Sequence, residues 1–103
     1  MEKIISTTYE IIILDACGDE YDSIDTNENH KPFSNLKECC KKVVEMKKTD
    51  KELGAEYGVW DYRVIKWEET EKERYYSVFK VYKYKGMWKY KRDYKFEESY
   101  RIR

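Results

Sequence analysis

The stretch Tyr82, Lys83, Tyr84, Lys85, Gly86, Met87, Trp88, Lys89, Tyr90, Lys91, Arg92, Asp93, Tyr94, Lys95, Phe96 alternates rings with cations. Aromatic side chains fall on even positions and most lysines on odd ones, the period of a β-strand whose successive side chains point to opposite faces. Gly86 interrupts the run and marks a hairpin. Loop length then decides which side chains share a face. A two-residue loop at Lys85-Gly86 sets Tyr82 opposite Lys89 and mixes rings with lysines. A three-residue loop at 85–87 instead pairs Tyr84 with Trp88, Tyr82 with Tyr90, Val78 with Tyr94 and Tyr76 with Phe96. The sequence favours the odd-length loop, because it yields one ring-lined face and one bearing Lys83, Lys85, Lys89, Lys91 and Lys95 around Phe79 and Val81.

Outward from the hairpin, Tyr75 to Tyr84 reads as one strand, Glu68 to Arg74 as a charged turn, Val59 to Trp67 as a second strand, and Trp88 to Phe96 as a third. Nearer the N-terminus, Thr8 to Leu14 ends in the apolar run Ile11-Ile12-Ile13-Leu14, which predicts a central strand buried on both faces. A turn at Ala16 to Asp19 leads into Tyr21 to Thr26, an edge strand or loop, and then the polar loop 27–32. Asn35 with Glu38 forms a capping-box-like start after Pro32 and Phe33. Leu36, Cys39, Cys40, Val43 and Met46 recur at helical spacing, so one amphipathic helix runs to about residue 53 or breaks near Thr49-Asp50, with Gly54 suited to its C-terminal cap. The expected architecture is α+β, a single domain over residues 1–103 in the order ββαβββ, with an antiparallel sheet of four to five strands and one helix on one face.

Charged residues make up 41% of the chain and aromatic residues 17%. The first figure favours disorder and the second a ring-rich core, and eleven tyrosines with three tryptophans decide for a folded domain. The net charge of zero conceals a division: residues 1–57 hold 8 basic against 13 acidic side chains, whereas residues 58–103 hold 13 against 8. Asp15, Asp19, Glu20, Asp22, Asp25 and Glu28 follow one another with no cation between them. Such a dipole steers partners or promotes head-to-tail self-association.

Cys17, Cys39 and Cys40 are an odd set without disulfide-framework spacing, which fits a reducing compartment. No apolar run approaches membrane-spanning length, and no leader-like segment is present, so a soluble, cytoplasmic protein of a bacterial host cell is expected. One histidine, His30, and three scattered cysteines do not match a zinc site. The acidic stretch lacks the ligand alternation of a calcium loop. No phosphate-binding glycine loop or nucleophile elbow occurs. The expectation is a non-enzymatic protein without cofactor or metal.

The helix "LKECCKKVVEMKK", the link "TDKELG" and the strand "YGVWDYRVIK" resemble small phage and prophage proteins of low-GC Gram-positive bacteria, and "YYSVFKVYKYKGMW" resembles the hairpin of similar small bacterial proteins. The resemblance implies a stoichiometric inhibitor or adaptor of host machinery, including anti-CRISPR and other anti-defence proteins. The expected function is therefore a protein-binding module that inhibits a host nuclease or defence complex by steric occlusion. Its contact set would be Trp67, Phe79 and Val81 with Lys83, Lys85, Lys89, Lys91 and Lys95. The alternative is single-stranded nucleic-acid binding, with Tyr82, Tyr84, Trp88 and Tyr90 as stacking platforms and the lysines on phosphates. A homodimer is a further hypothesis, because a single helix leaves one face of the Ile11 to Leu14 strand uncovered.

Overall fold

The computed structural model describes residues 3–15, 17–52 and 61–101. Seven elements follow one another: β1 (Ser6–Leu14), β2 (Glu20–Ile24), α1 (Leu36–Glu52), β3 (Asp61–Glu69), β4 (Arg74–Tyr84), β5 (Met87–Arg92) and α2 (Tyr94–Arg101). The strands form one open sheet in the order β2-β1-β3-β4-β5, every neighbouring pair antiparallel. The fold is α+β, as the patterning predicts. Val59, Trp60, Leu53 and Gly54, expected at a strand start and a helix end, lie outside the described residues.

The apolar run of β1 sits near the middle of the sheet and feeds both layers of the core. On one face Ile11, Val64 and Val81 pack with Cys39, Cys40 and Val43 of α1 and with Phe33 just before it. On the other, Ile12, Leu14, Ile65 and Val78 pack with Trp67, Tyr76, Phe96 and Tyr100. Each fully buried aliphatic side chain contributes about 1.5–3 kcal/mol relative to exposure.

The helix α1 begins as its sequence predicts. The Asn35 Oδ1 accepts the Glu38 N–H at 2.8 Å, while the Glu38 carboxylate reaches back to the Ser34 N–H at 3.0 Å and the Ser34 hydroxyl at 2.6 Å. It continues without a break through Thr49-Asp50 to Glu52. Near its end Tyr62 on β3 donates its hydroxyl to Asp50 at 2.5 Å, fastening the helix to the sheet.

The C-terminal segment departs from expectation. The last strand stops at Arg92 rather than running to Phe96, and Tyr94–Arg101 is a helix. Asp93 is the cause: its Oδ1 accepts the Phe96 N–H at 3.1 Å as an N-cap, and its Oδ2 accepts from Nε of the buried Arg63 at 2.9 Å. One turn on, the buried Glu97 accepts from Nε and Nη2 of Arg92, each at 2.7 Å, and from the Val78 N–H at 3.2 Å. These bonds hold α2 across Ile12, Leu14, Ile65 and Val78. The second face of the apolar strand is thereby covered from within the chain, so it supplies no argument for a homodimer.

The β4–β5 hairpin also departs from expectation. Tyr84 pairs with Met87, Lys83 with Trp88, Tyr82 with Lys89, Val81 with Tyr90 and Lys80 with Lys91. The loop is the two-residue turn Lys85-Gly86, with φ of 49° and 78°. Positive φ at both positions makes a type I′ turn, whose twist matches that of the flanking strands, and this local preference outweighs segregation of rings from lysines. Since a Cβ on Gly86 would meet nothing within 4 Å, substitution there tests conformation alone. Gly86→Ala should lower stability by about 1 kcal/mol, and Lys85→Asn should raise it, both read from urea midpoints. A neutral or stabilising Gly86→Ala would contradict the turn.

Candidate nucleic-acid interface

Because the two-residue turn shifts the parity of β5 against β4, the hairpin carries rings and lysines on both faces. The face turned away from α1 presents Lys80, Tyr82 and Tyr84 from β4 beside Lys91, Lys89 and Met87 from β5. Lys91 Nζ lies 5.1 Å from the Tyr82 ring centre, and both Lys89 and Lys85 lie 5.4 Å from that of Tyr84. The helix α2 covers Tyr76 and Val78 farther along β4 but stops short of this tip, where Tyr84 is 51% exposed. Among the described residues Lys80, Lys85, Lys89 and Lys91 make no ion pair. Lys80 directly opposite Lys91 is a like-charge cross-strand pair, destabilising unless an anion relieves it.

The remaining expected site residues are dispersed. Val81 is 1% exposed and Phe79 is packed against the same core, so the helix covers two of the three apolar contacts assigned to a partner. Trp67 lies on the other face, where its Nε1–H donates to Glu10 at 2.8 Å and the Arg74 guanidinium sits 4.0 Å from its ring centre. Lys83 faces Trp88, 5.6 Å from the ring centre, rather than Lys89. Lys95 projects from the exposed side of α2. Trp88 and Tyr90 belong to the α1 side, where with Val44, Val81, Lys37 and Lys41 they line a groove of ≈ 350 Å³ between α1 and β5.

Below the hairpin a charge network braces the sheet. Asp61 accepts from Arg63 Nη1 at 2.7 Å and lies 3.3 Å from Lys47. Burial alone would raise its carboxyl, but the hydrogen bonds from Arg63 and the Tyr62 N–H and the charges of Arg63 and Lys47 hold it below the ordinary value. Lys47 also donates to the Val81 carbonyl at 3.1 Å, tying α1 to the strand that carries Tyr82.

Among the described residues no group of three or more His, Cys, Asp or Glu is arranged to hold a metal ion, and no helix is long and apolar enough to cross a membrane. His30 is an exposed turn residue at φ 60°, its N–H donating to the Asn27 carbonyl. Comparison of the chain with protein-family models, with curated proteins and with solved structures gives no match.

Burial pushes the thiol of Cys39 up to about 12 and that of Cys40 up to about 11, which leaves both protonated at neutral pH. Cys17 is exposed. In the folded protein at pH 7 a thiol reagent should therefore label Cys17 alone, and urea should release the other two. Rapid labelling of Cys39 or Cys40 in the native state would contradict their placement.

Proposed function

We propose that the protein binds single-stranded nucleic acid on the open face of the β4–β5 hairpin. The observation that carries this reading is the grouping of exposed Tyr84, Lys89 and Lys91 with half-buried Tyr82 and Lys80 on one surface beyond the reach of α2. Two rings at positions i and i+2 of a strand stand about 6.8 Å apart and suit consecutive unpaired bases. The lysines that sit over those rings would turn to phosphates. Separating one lysine from its ring costs about 0.5–1 kcal/mol, while each base stacked on a ring returns about 1–3 kcal/mol, and the anion also relieves the repulsion between Lys80 and Lys91.

The neutral total charge does not oppose this reading. The acidic edge at β2 lies four strand spacings from β5, about 19 Å, or more than two screening lengths at physiological salt. Inhibition of a host nuclease or defence complex draws less support, because Phe79, Val81 and Trp67 do not form one exposed apolar centre.

Binding of a labelled oligothymidylate of about 12 nucleotides, followed by fluorescence anisotropy, tests the proposal. Four lysine–phosphate contacts give a log–log salt slope of about −3, hence a loss of about 50-fold between 50 and 200 mM salt. Lys89→Ala/Lys91→Ala should flatten the slope by about 1.4. Tyr82→Ala/Tyr84→Ala should weaken binding by about 1–3 kcal/mol per ring and leave the slope unchanged. Absence of binding at low salt, or indifference to the tyrosine pair, would overturn the reading.

A further inference from the structure

The open sheet ends in two edges of opposite charge, and among the described residues neither is covered by another strand. At one edge β2 and its flanks carry Glu20, Asp22 and Asp25, all exposed and, among the described residues, in no ion pair. At the other, β5 and its turn carry Lys85, Lys89 and Lys91. We propose that the protein associates head to tail with further copies of itself, the β2 edge of one copy seating on the β5 edge and the adjoining α1–β5 groove of the next.

Two features beyond charge sign support a second copy as the occupant. The groove has an apolar floor that includes Val44, Val81 and Trp88, and a rim of Lys37, Lys41 and Lys89. The acidic edge offers a matching projection. Opposite β1, Asp22 pairs with Ile13 and Glu20 with Leu14, so Tyr21 is the extra residue of a bulge, 69% exposed between two carboxylates. An aromatic ring flanked by anions complements an apolar floor rimmed by lysines.

Charge also excludes the symmetric contacts. Two β5 edges would set lysines against lysines, and two β2 edges carboxylates against carboxylates. The contact that remains is heterologous and continues from copy to copy as a ring or an open chain. The competing reading is that each edge is charged only to keep sheets apart, which requires a monomer at every ionic strength.

Light scattering coupled to size exclusion separates the two at about 20 mM and about 500 mM salt, between which the screening length falls from ~20 Å to ~4 Å. The expected result is a mass well above 12.7 kDa at low salt that returns to 12.7 kDa at high salt. Glu20→Lys/Asp22→Lys makes both edges basic, and Lys89→Glu/Lys91→Glu makes both acidic. Each variant, checked for folding by circular dichroism, should be monomeric at low salt, and their mixture should associate again. Tyr21→Ser should weaken association without altering charge. A monomer at both salts, failure of the mixture to associate, or assembly that survives both high salt and Glu20→Lys/Asp22→Lys would overturn the proposal.

Discussion

Backbone conformation at Lys85 and Gly86 governs what the exposed end of this sheet presents. Two consecutive residues in the left-handed region close the hairpin in two steps, and a two-residue closure pairs even positions of β4 with odd positions of β5. The alternation of rings and lysines is the same whichever loop is used. Only the parity changes, and with it the chemistry of both faces: a shift of one residue converts separate aromatic and cationic surfaces into two mixed ones. Placing Lys85 at φ 49° carries a conformational cost, and the matching strand twist offsets it.

The rest of the molecule holds that hairpin rigid. The apolar β1 strand gives each helix a face to cover, α1 through Cys39 and Val43 and α2 through Phe96 and Tyr100. Polar contacts fix the angles: Lys47 binds the Val81 carbonyl and Asp61, and Arg63 joins Asp61 to the cap of α2 at Asp93. Both networks end within one or two residues of the open face. The opposed Lys80 and Lys91 therefore sit beside positions that these contacts fix.

Much of this is legible in the sequence, and the departures have physical causes. The central strand, the capped helix and the antiparallel sheet follow from β-branched runs, helical spacing and a polar start at Asn35, signals that local patterning carries well. Residues 93–96 read as strand because Tyr94 and Phe96 continue the alternation that precedes them. Asp93 as an N-cap, with Phe96 and Tyr100 four apart, is a competing helical signal in the same segment, and two buried charges that demand partners, Arg63 bound by Asp93 and Glu97 bound by Arg92, decide between them. At the turn, segregation of side chains favours an odd loop, whereas the fit of positive φ to a two-residue loop favours an even one, and the second prevails. That single step of parity brings Tyr82 and Tyr84 together with Lys89 and Lys91, whereas Val81 and Phe79 lie beneath α1 because the β3–β4 register sets Phe79 opposite Val64, on the face that Ile11 shares.

The register of the hairpin is the claim on which the binding surface rests, and nuclear Overhauser contacts between backbone α-protons read it without any variant. In the paired arrangement seen here, close α-proton contacts join Lys83 to Trp88 and Val81 to Tyr90. Contacts from Lys83 to Lys89 and from Val81 to Lys91 would instead mean a three-residue loop and separate faces, and would contradict the account.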